Sequence, residues 1–435
     1  MRSGPDIREY RDLDPSTRVL MGPGPSDVPP RVLRAMAAPT LGHLDPEFLV
    51  LMSETQQLLR EVFQTDNALT IPVSGTGSAG MEACFVNLVE PGDQVAVVVN
   101  GVFGTRMVDC AGRLGAEVIP IEAEWGRAVD PSAVEAALKG KQPKLFAVVH
   151  AETSTGVCQP LTEIIKIVKD AGALMMLDCV TSLGGVEVTL DAWGIDAAFS
   201  GTQKCLSCPP GLAPLSFNEK AVEKLLSRKT KVPSWYLDLT MVGDYWGSAR
   251  KYHHTAPINM IYALREALRI ILEEGLEARF ARHQLNHEAL VAGVEAMGLK
   301  MLVPPAERLA SLNALVIPEG ADDAGTRKAL LQKFGLEIGA GLGPLAGKMW
   351  RVGLQGHSSS ERNVLLFLAA LEAVLKTQGV SVQPGGSGAA EAVYGRARWA
   401  GCPAPRRHPP PADLWSAARA GILRLFCGDD GCPGH

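Results

Sequence analysis

Four short runs of this chain are apolar almost from end to end: QVAVVVN (Gln94–Asn100), KLFAVVH (Lys144–His150), ALMMLDCV (Ala173–Val180) and DAAFSG (Asp196–Gly201). A strand with one face in water alternates apolar and polar residues. A strand apolar on both faces has to be covered on both sides, which is the condition of a parallel sheet between helices. Stretches with helical spacing, PSAVEAALKG and LTEIIKIVKDAG, fall between the runs. The alternation from about Leu69 to Ser216 therefore predicts a large, doubly wound, mainly parallel α/β domain.

From Asn259 the pattern turns helical, with apolar residues recurring every three or four positions. It leads into a smaller α+β domain with strands near LNALVIP and KMWRVGL and helices near DAGTRKALLQKFG and ERNVLLFLAALEAVLKT. We expect an N-terminal arm over 1–20, the large domain over 21–272 and the small domain over 273–377. Residues 378–435 are rich in Gly, Pro, Ala and Arg, and their composition predicts a disordered tail with a short helix at DLWSAARAGILRLF. On that reading, ending the chain near Thr377 costs little stability.

The net charge of −5 over 435 residues offers no concentrated positive field for nucleic acid or an anionic membrane. No apolar run is long enough for a membrane helix, and MRSGPDIREY lacks the apolar stretch of a signal peptide. Several of the nine cysteines, such as Cys84, Cys110 and Cys179, sit in apolar segments, which fits a reducing cytoplasmic setting.

Four features carry chemistry. SGTGSAGMEA (Ser74–Ala83) joins an apolar run to a helical pattern. Its glycines and the free N–H groups of a helix start suit an anion such as phosphate, although many such turns only connect elements. Asp178 closes an apolar strand at its carboxyl end, where ligands of open α/β sheets bind, unless it only caps the next turn. Lys204, in SGTQKCLSCPPG, has small, apolar and Pro/Gly neighbours. A desolvated lysine loses basicity and becomes nucleophilic enough for Schiff-base chemistry. Arg351, in KMWRVGL, presents a planar fork that matches a carboxylate, unless it serves a surface ion pair. His253 and His254 are adjacent and face different ways, and Cys205 and Cys208 have no second pair nearby, so no metal is expected.

Taken together, MGPGPS, SGTGSAGMEA, HAETSTGV, LDCVTSLGG, SGTQKCLSCPPG, YHHTAP and GPLAGKMWRVGL occur in an order similar to that of class V aminotransferases of the alanine–glyoxylate and serine–pyruvate type. The resemblance spans about Leu20 to Leu375. It implies the fold type I of enzymes dependent on pyridoxal 5′-phosphate (PLP), working as a homodimer with shared sites. By the same resemblance Lys204 would anchor the cofactor and Asp178 would pair with its ring nitrogen. Val180 and Phe103 would cover the two ring faces, and Thr153 would bond the ring hydroxyl. Thr76, Gly77, Ser78 and Gln203 would hold the phosphate, with Tyr252 and Thr255 reaching across the dimer to complete it. Arg351 would clamp the substrate carboxylate, and the Gly22–Pro25 turn, with Gly24, would wall the side-chain pocket. Relatives often carry His at the position of Ser78 and Trp at that of Phe103. The implied reaction is ping-pong transfer of an amino group between alanine or serine and glyoxylate or pyruvate. A ureidoglycine–glyoxylate aminotransferase shares much of the pattern. A desulfurase would need a reactive cysteine near the arginine clamp, and none is there.

Overall fold

The computed structural model describes residues 12–399. Its main sheet has seven strands: β1 (Leu69–Ser74), β2 (Gln94–Val99), β3 (Glu117–Glu122), β4 (Leu145–Val149), β5 (Leu174–Asp178), β6 (Ala197–Phe199) and β7 (Leu212–Phe217). Their order across the sheet is β1-β7-β6-β5-β4-β2-β3. Every pairing is parallel except those of β7, which runs against both β1 and β6. The apolar runs are the sheet's centre: all five residues of β4 are buried, and β5 is buried from Met175 to Asp178.

Because six strands run one way, their carboxyl ends share one edge. The segments leaving that edge are the ones the sequence marks: Gly75–Gly77 after β1, Asn100–Phe103 after β2, His150–Thr153 after β4, Asp178–Val180 at the end of β5 and Ser200–Lys204 after β6. Helix α1 (Gly77–Leu88) begins directly at that edge. A Cβ at Gly80 would sit 3.0 Å from Ala213 Cβ and 3.2 Å from Phe199 Cβ, so a glycine there lets α1 lie close on the sheet. Helix α2 (Val102–Arg113) starts at the end of β2.

The helical segment after Pro257 divides at Gly275, whose φ of 84° ends helix α3 (Ile258–Glu274) and turns the chain into α4 (Leu276–Ala296). A second apolar cluster lies beyond it, formed by residues such as Leu290, Trp350, Val352, Phe367 and Leu371. It is built on a three-stranded antiparallel sheet with β8 (Leu312–Val316) and β9 (Gly339–Ala340) flanking β10 (Met349–Gly353). Helices α5 (Asp323–Phe334), α6 (Glu361–Thr377) and α7 (Gly386–Trp399) complete this region. The described end of the N-terminal arm joins it too: Val19–Leu20 pairs in parallel with Leu336–Glu337, and Met21 belongs to the second cluster.

The tail departs from the expectation that its composition raises. Disorder is expected from residue 378 onward, yet α7 packs its Ala390, Val393 and Tyr394 into the second cluster. Two glycines allow the approach: a Cβ on Gly293 would lie 2.8 Å from Gly386 O, and one on Gly386 would lie 2.7 Å from Met297 Sδ. Tyr394 then donates to Asn286 Oδ1 at 2.8 Å. Overall composition hides a local stripe at positions 390, 393 and 394, which is helical spacing. The helix expected at DLWSAARAGILRLF lies outside the described residues.

Candidate active site

Lys204 sits in the turn after β6 with 9% of its surface exposed. The chain around it is pinned from the N-terminal side: Ser26 donates through Oγ to Lys204 O at 2.7 Å and through N–H to Gln203 O at 2.9 Å. Its Nζ donates to Pro23 O. A Cβ on Gly24 would lie 2.6 Å from Lys204 Nζ, and Gly24 has φ +111°, so this turn requires glycine for both space and conformation. Burial above all, with repulsion from Arg351 next, lowers the Lys204 pKa to about 8.

Asp178 is 4% exposed and accepts from Val180 N–H through Oδ1 at 2.9 Å. Burial raises its pKa to about 7; the Val180 hydrogen bond and Lys204 oppose the rise, and Glu152 adds to it. No salt bridge reaches it among the described residues. A buried carboxylate in this state suits a cationic N–H donor.

Beside it lies a small cradle. A Cβ on Gly77 would stand 3.4 Å from Val180 Cγ2 and 3.6 Å from Gly201 Cα. Thr76 takes the N-cap position of α1 in an extended conformation with no side-chain cap bond, and neither Thr76 nor Ser78 is shut away from the cradle's opening as Gly77 is. Gln203 Oε1 is buried with no partner among the described residues. Helix-start N–H groups, two hydroxyls and an amide can hold a phosphate.

On the other flank Phe103 N–H donates to Glu152 Oε2 at 3.2 Å, and Arg106 lies over the Phe103 ring at 4.9 Å. Glu152 directly precedes Thr153 and does not stand out in the sequence. It is fully buried and accepts from Ser154 N–H and Oγ. A Cβ on Gly101 would come within 2.4 Å of Glu152 Cδ, so a glycine makes its place. Burial raises the Glu152 pKa. The one signal in the chain is an acidic residue in a buried strand-end motif with no cation beside it in sequence. Thr153 Oγ1 lies 2.5 Å from Thr181 Oγ1.

Arg351 stands at the middle of β10, 7% exposed. Its Nε donates to Ala340 O at 2.7 Å and its Nη1 to Thr153 O at 3.3 Å. No carboxylate lies within ion-pair distance of it among the described residues; burial lowers its pKa to about 10, and the charge of Glu152 opposes that fall. A buried guanidinium bonded only to carbonyls keeps its affinity for a carboxylate.

The chain thus brings together Lys204, Asp178, Val180, Gly77, Gln203, Gly24, Thr153, Phe103 and Arg351, along the strand-end edge and the small sheet facing it. Tyr252 and Thr255 stand apart from that set. Both are exposed, and Tyr252 packs its ring on His43 at 4.9 Å. Within their segment His254 meets the end of β1, its Nε2 lying 2.7 Å from Ser74 Oγ. Among the described residues no group of His, Cys, Asp and Glu could hold a metal, and no helix is long and apolar enough to cross a membrane.

Residues 18–357 match the family model for Aminotransferase class-V. The chain is 42% identical over 393 residues to (S)-ureidoglycine–glyoxylate transaminase of Bacillus subtilis, covering 86% of this chain and 94% of that one. It is 37% identical over 388 residues to alanine–glyoxylate aminotransferase of Drosophila melanogaster, covering 88% and 98%. Among solved structures it resembles ureidoglycine–glyoxylate aminotransferase of B. subtilis (TM-score 0.87, 44% identity, 88% of this chain and 100% of that one). It also resembles alanine–glyoxylate aminotransferase of Nostoc sp. (TM-score 0.83, 50% identity, 86% and 100%). The match over most of its length and these identities show that the chain belongs to the class-V aminotransferases, a PLP-dependent family.

Proposed function

We propose that this aminotransferase moves an amino group between a small amino acid and glyoxylate. The observation that carries the reading is Arg351: buried, without a carboxylate partner, and close enough to Lys204 to lower its basicity. An arginine so placed takes the carboxylate common to amino and oxo acids. The other arginine whose charge reaches Lys204, Arg106, is exposed and lies over the Phe103 ring, so a side-chain carboxylate finds no second buried guanidinium there, and burying one unpaired costs several kcal/mol. The donor is therefore small and uncharged in its side chain, as alanine and serine are.

The residues divide the work. PLP, when bound, supplies the electron sink that makes removal of the substrate Cα proton feasible. Lys204 Nζ would anchor it and would carry the proton from the substrate Cα; burial already lowers its basicity, to a pKa of about 8. Asp178 would pair with the ring nitrogen and favour its protonated form. Thr76, Gly77, Ser78 and Gln203 would bind the phosphate; Val180 and Phe103 would cover the ring faces, and Thr153 would meet the ring hydroxyl. Gly24 and its turn close over Lys204 and limit the side chain. Tyr252 and Thr255, exposed in a single subunit, complete the second subunit's phosphate site in a homodimer. Six described thiols are all unpaired, which supports a cytoplasmic setting.

The 42% identity to an (S)-ureidoglycine–glyoxylate transaminase favours a second donor, ureidoglycine, with the same acceptor. A donor-by-acceptor matrix tests both readings: alanine, serine, ureidoglycine, glutamate and phenylalanine against glyoxylate and pyruvate. Glyoxylate is expected as best acceptor, with glutamate and phenylalanine as poor donors. Glutamate as best donor would overturn the reading.

A further inference from the structure

Lys204 and Arg351 hang on different segments, one on the turn after β6 and the other on β10. The reaction needs both at once, since the carboxylate clamp and the lysine must engage one small molecule. The first two turns of α4 join those segments. Glu274 accepts from Arg279 Nη1 at 2.7 Å and from Arg282 Nε and Nη2 at 2.6 and 3.0 Å. Held this way, Arg279 donates through Nη2 to Cys205 O at 2.6 Å and through Nε to Gly184 O at 2.7 Å. Arg282 donates through Nη1 to Gly356 O at 3.0 Å and to Ser359 O at 2.6 Å. Cys205 is the chain neighbour of Lys204, and Gly356–Ser359 is the turn just past Arg351 and β10.

Other bonds tighten the same joint. Gly356 N–H donates to His283 Nε2 at 2.9 Å, while His283 Nδ1 lies 2.8 Å from Arg279 O. A carbonyl only accepts, so Nδ1 carries the proton and the ring is neutral. His357 N–H donates to Ser207 Oγ at 2.7 Å. A Cβ on Gly356 would lie 2.0 Å from Ser207 Oγ and 2.6 Å from Cys205 O, so the two turns meet with no room for a side chain between them. Arg279 is 3% exposed, yet none of its bonds reaches the reacting groups.

We infer that Arg279 and Arg282, gripped by Glu274, are positioning residues that set the reach between Lys204 and Arg351. The inference rests on the proposed roles of those two residues. The planar fork is what makes the joint possible, because Arg282 faces the carboxylate with Nε and Nη2 and the two carbonyls with Nη1, a spread that the three donors of an ammonium, all on one nitrogen, do not match. Loosening the joint moves the clamp relative to the lysine while leaving the Thr76–Ser78 part of the phosphate cradle, on β1 and α1, in place.

The test uses the full-length, PLP-loaded enzyme with Arg282→Lys, which keeps the charge beside Glu274 and loses the fork. Three quantities are read against the wild type: KM and kcat for the amino and oxo acids, PLP affinity by dialysis, and the Kd of acetate from its effect on the bound cofactor's visible absorbance. Misplacement on the ångström scale predicts a loss of about ten- to hundred-fold in kcat/KM, mainly through KM. Acetate binding should weaken in parallel while PLP affinity stays near that of the wild type. Ser207→Ala, which removes one acceptor and no charge, should shift both in the same direction by less. Wild-type KM and acetate Kd in Arg282→Lys, or a lower melting temperature with both unchanged, would overturn the inference. Acetate reports the clamp without turnover, so a wild type inactive on small amino acids would sink the functional reading separately.

Discussion

Removing the Tyr394 hydroxyl measures what α7 contributes. Tyr394 is 3% exposed and donates to Asn286 Oδ1 at 2.8 Å; Asn286, also 3% exposed, donates onward to Ser359 Oγ at 3.0 Å. Tyr394→Phe leaves a buried amide oxygen without its donor, which costs about 1–3 kcal/mol. Tyr394→Ala also empties the ring's place and should cost about 3–5 kcal/mol, the range for a large aromatic truncated in a core. Ending the chain at Thr377 further exposes the surfaces that Ala390 and Val393 cover, adding about 1.5–3 kcal/mol for a valine-sized contact. Urea unfolding of the PLP-loaded protein would rank the three: Phe mildest, Ala next, truncation worst. A chain ending at Thr377 that unfolds at the wild-type urea concentration would refute the packing argument and restore the expectation drawn from composition.

Two further predictions concern the site. Asp178 has a folded pKa of about 7 against an ordinary value of 3.8, so between those values the unfolded chain has lost a proton that the folded chain keeps. Stability of the PLP-free protein should therefore fall as pH rises from about 4 to about 7; melting curves check this, and a slope unchanged in Asp178→Asn would contradict it. Gly24→Ala puts a methyl 2.6 Å from Lys204 Nζ at φ +111°. The methyl also meets Lys204 Cδ at 2.6 Å, so the lysine side chain must move from Cδ outward; the fold should survive with a strain of about 1–3 kcal/mol while kcat drops at least about tenfold, and steady-state kinetics with normal activity would refute the close fit.

Much of this architecture is legible in the chain because it follows from local pattern. Runs buried on both faces specify the parallel sheet, and strand-end positions mark Asp178 and Lys204. Arg351 is readable as a fork, but its lack of a partner is not, since pairing depends on what folding brings near. Glu152 looks like an ordinary acid beside Thr153, and only folding bonds it to Phe103 N–H. The α4 joint is invisible for the same reason: Arg279 and Arg282 read as ordinary charges on an amphipathic helix. Helix α7 is misjudged on average composition, although Ala390, Val393 and Tyr394 have helical spacing.

The most direct test of the central claim is the visible spectrum of the purified protein with PLP, taken before and after borohydride, in the wild type and in Lys204→Ala. The expected result is a yellow wild type that borohydride bleaches with cofactor fixed to the peptide containing Lys204. The variant should bind PLP reversibly, fix none, and turn over more slowly by well beyond the roughly 10²–10⁴-fold of a single acid–base group. Fixation to any other lysine, or near-normal turnover in Lys204→Ala, would contradict it.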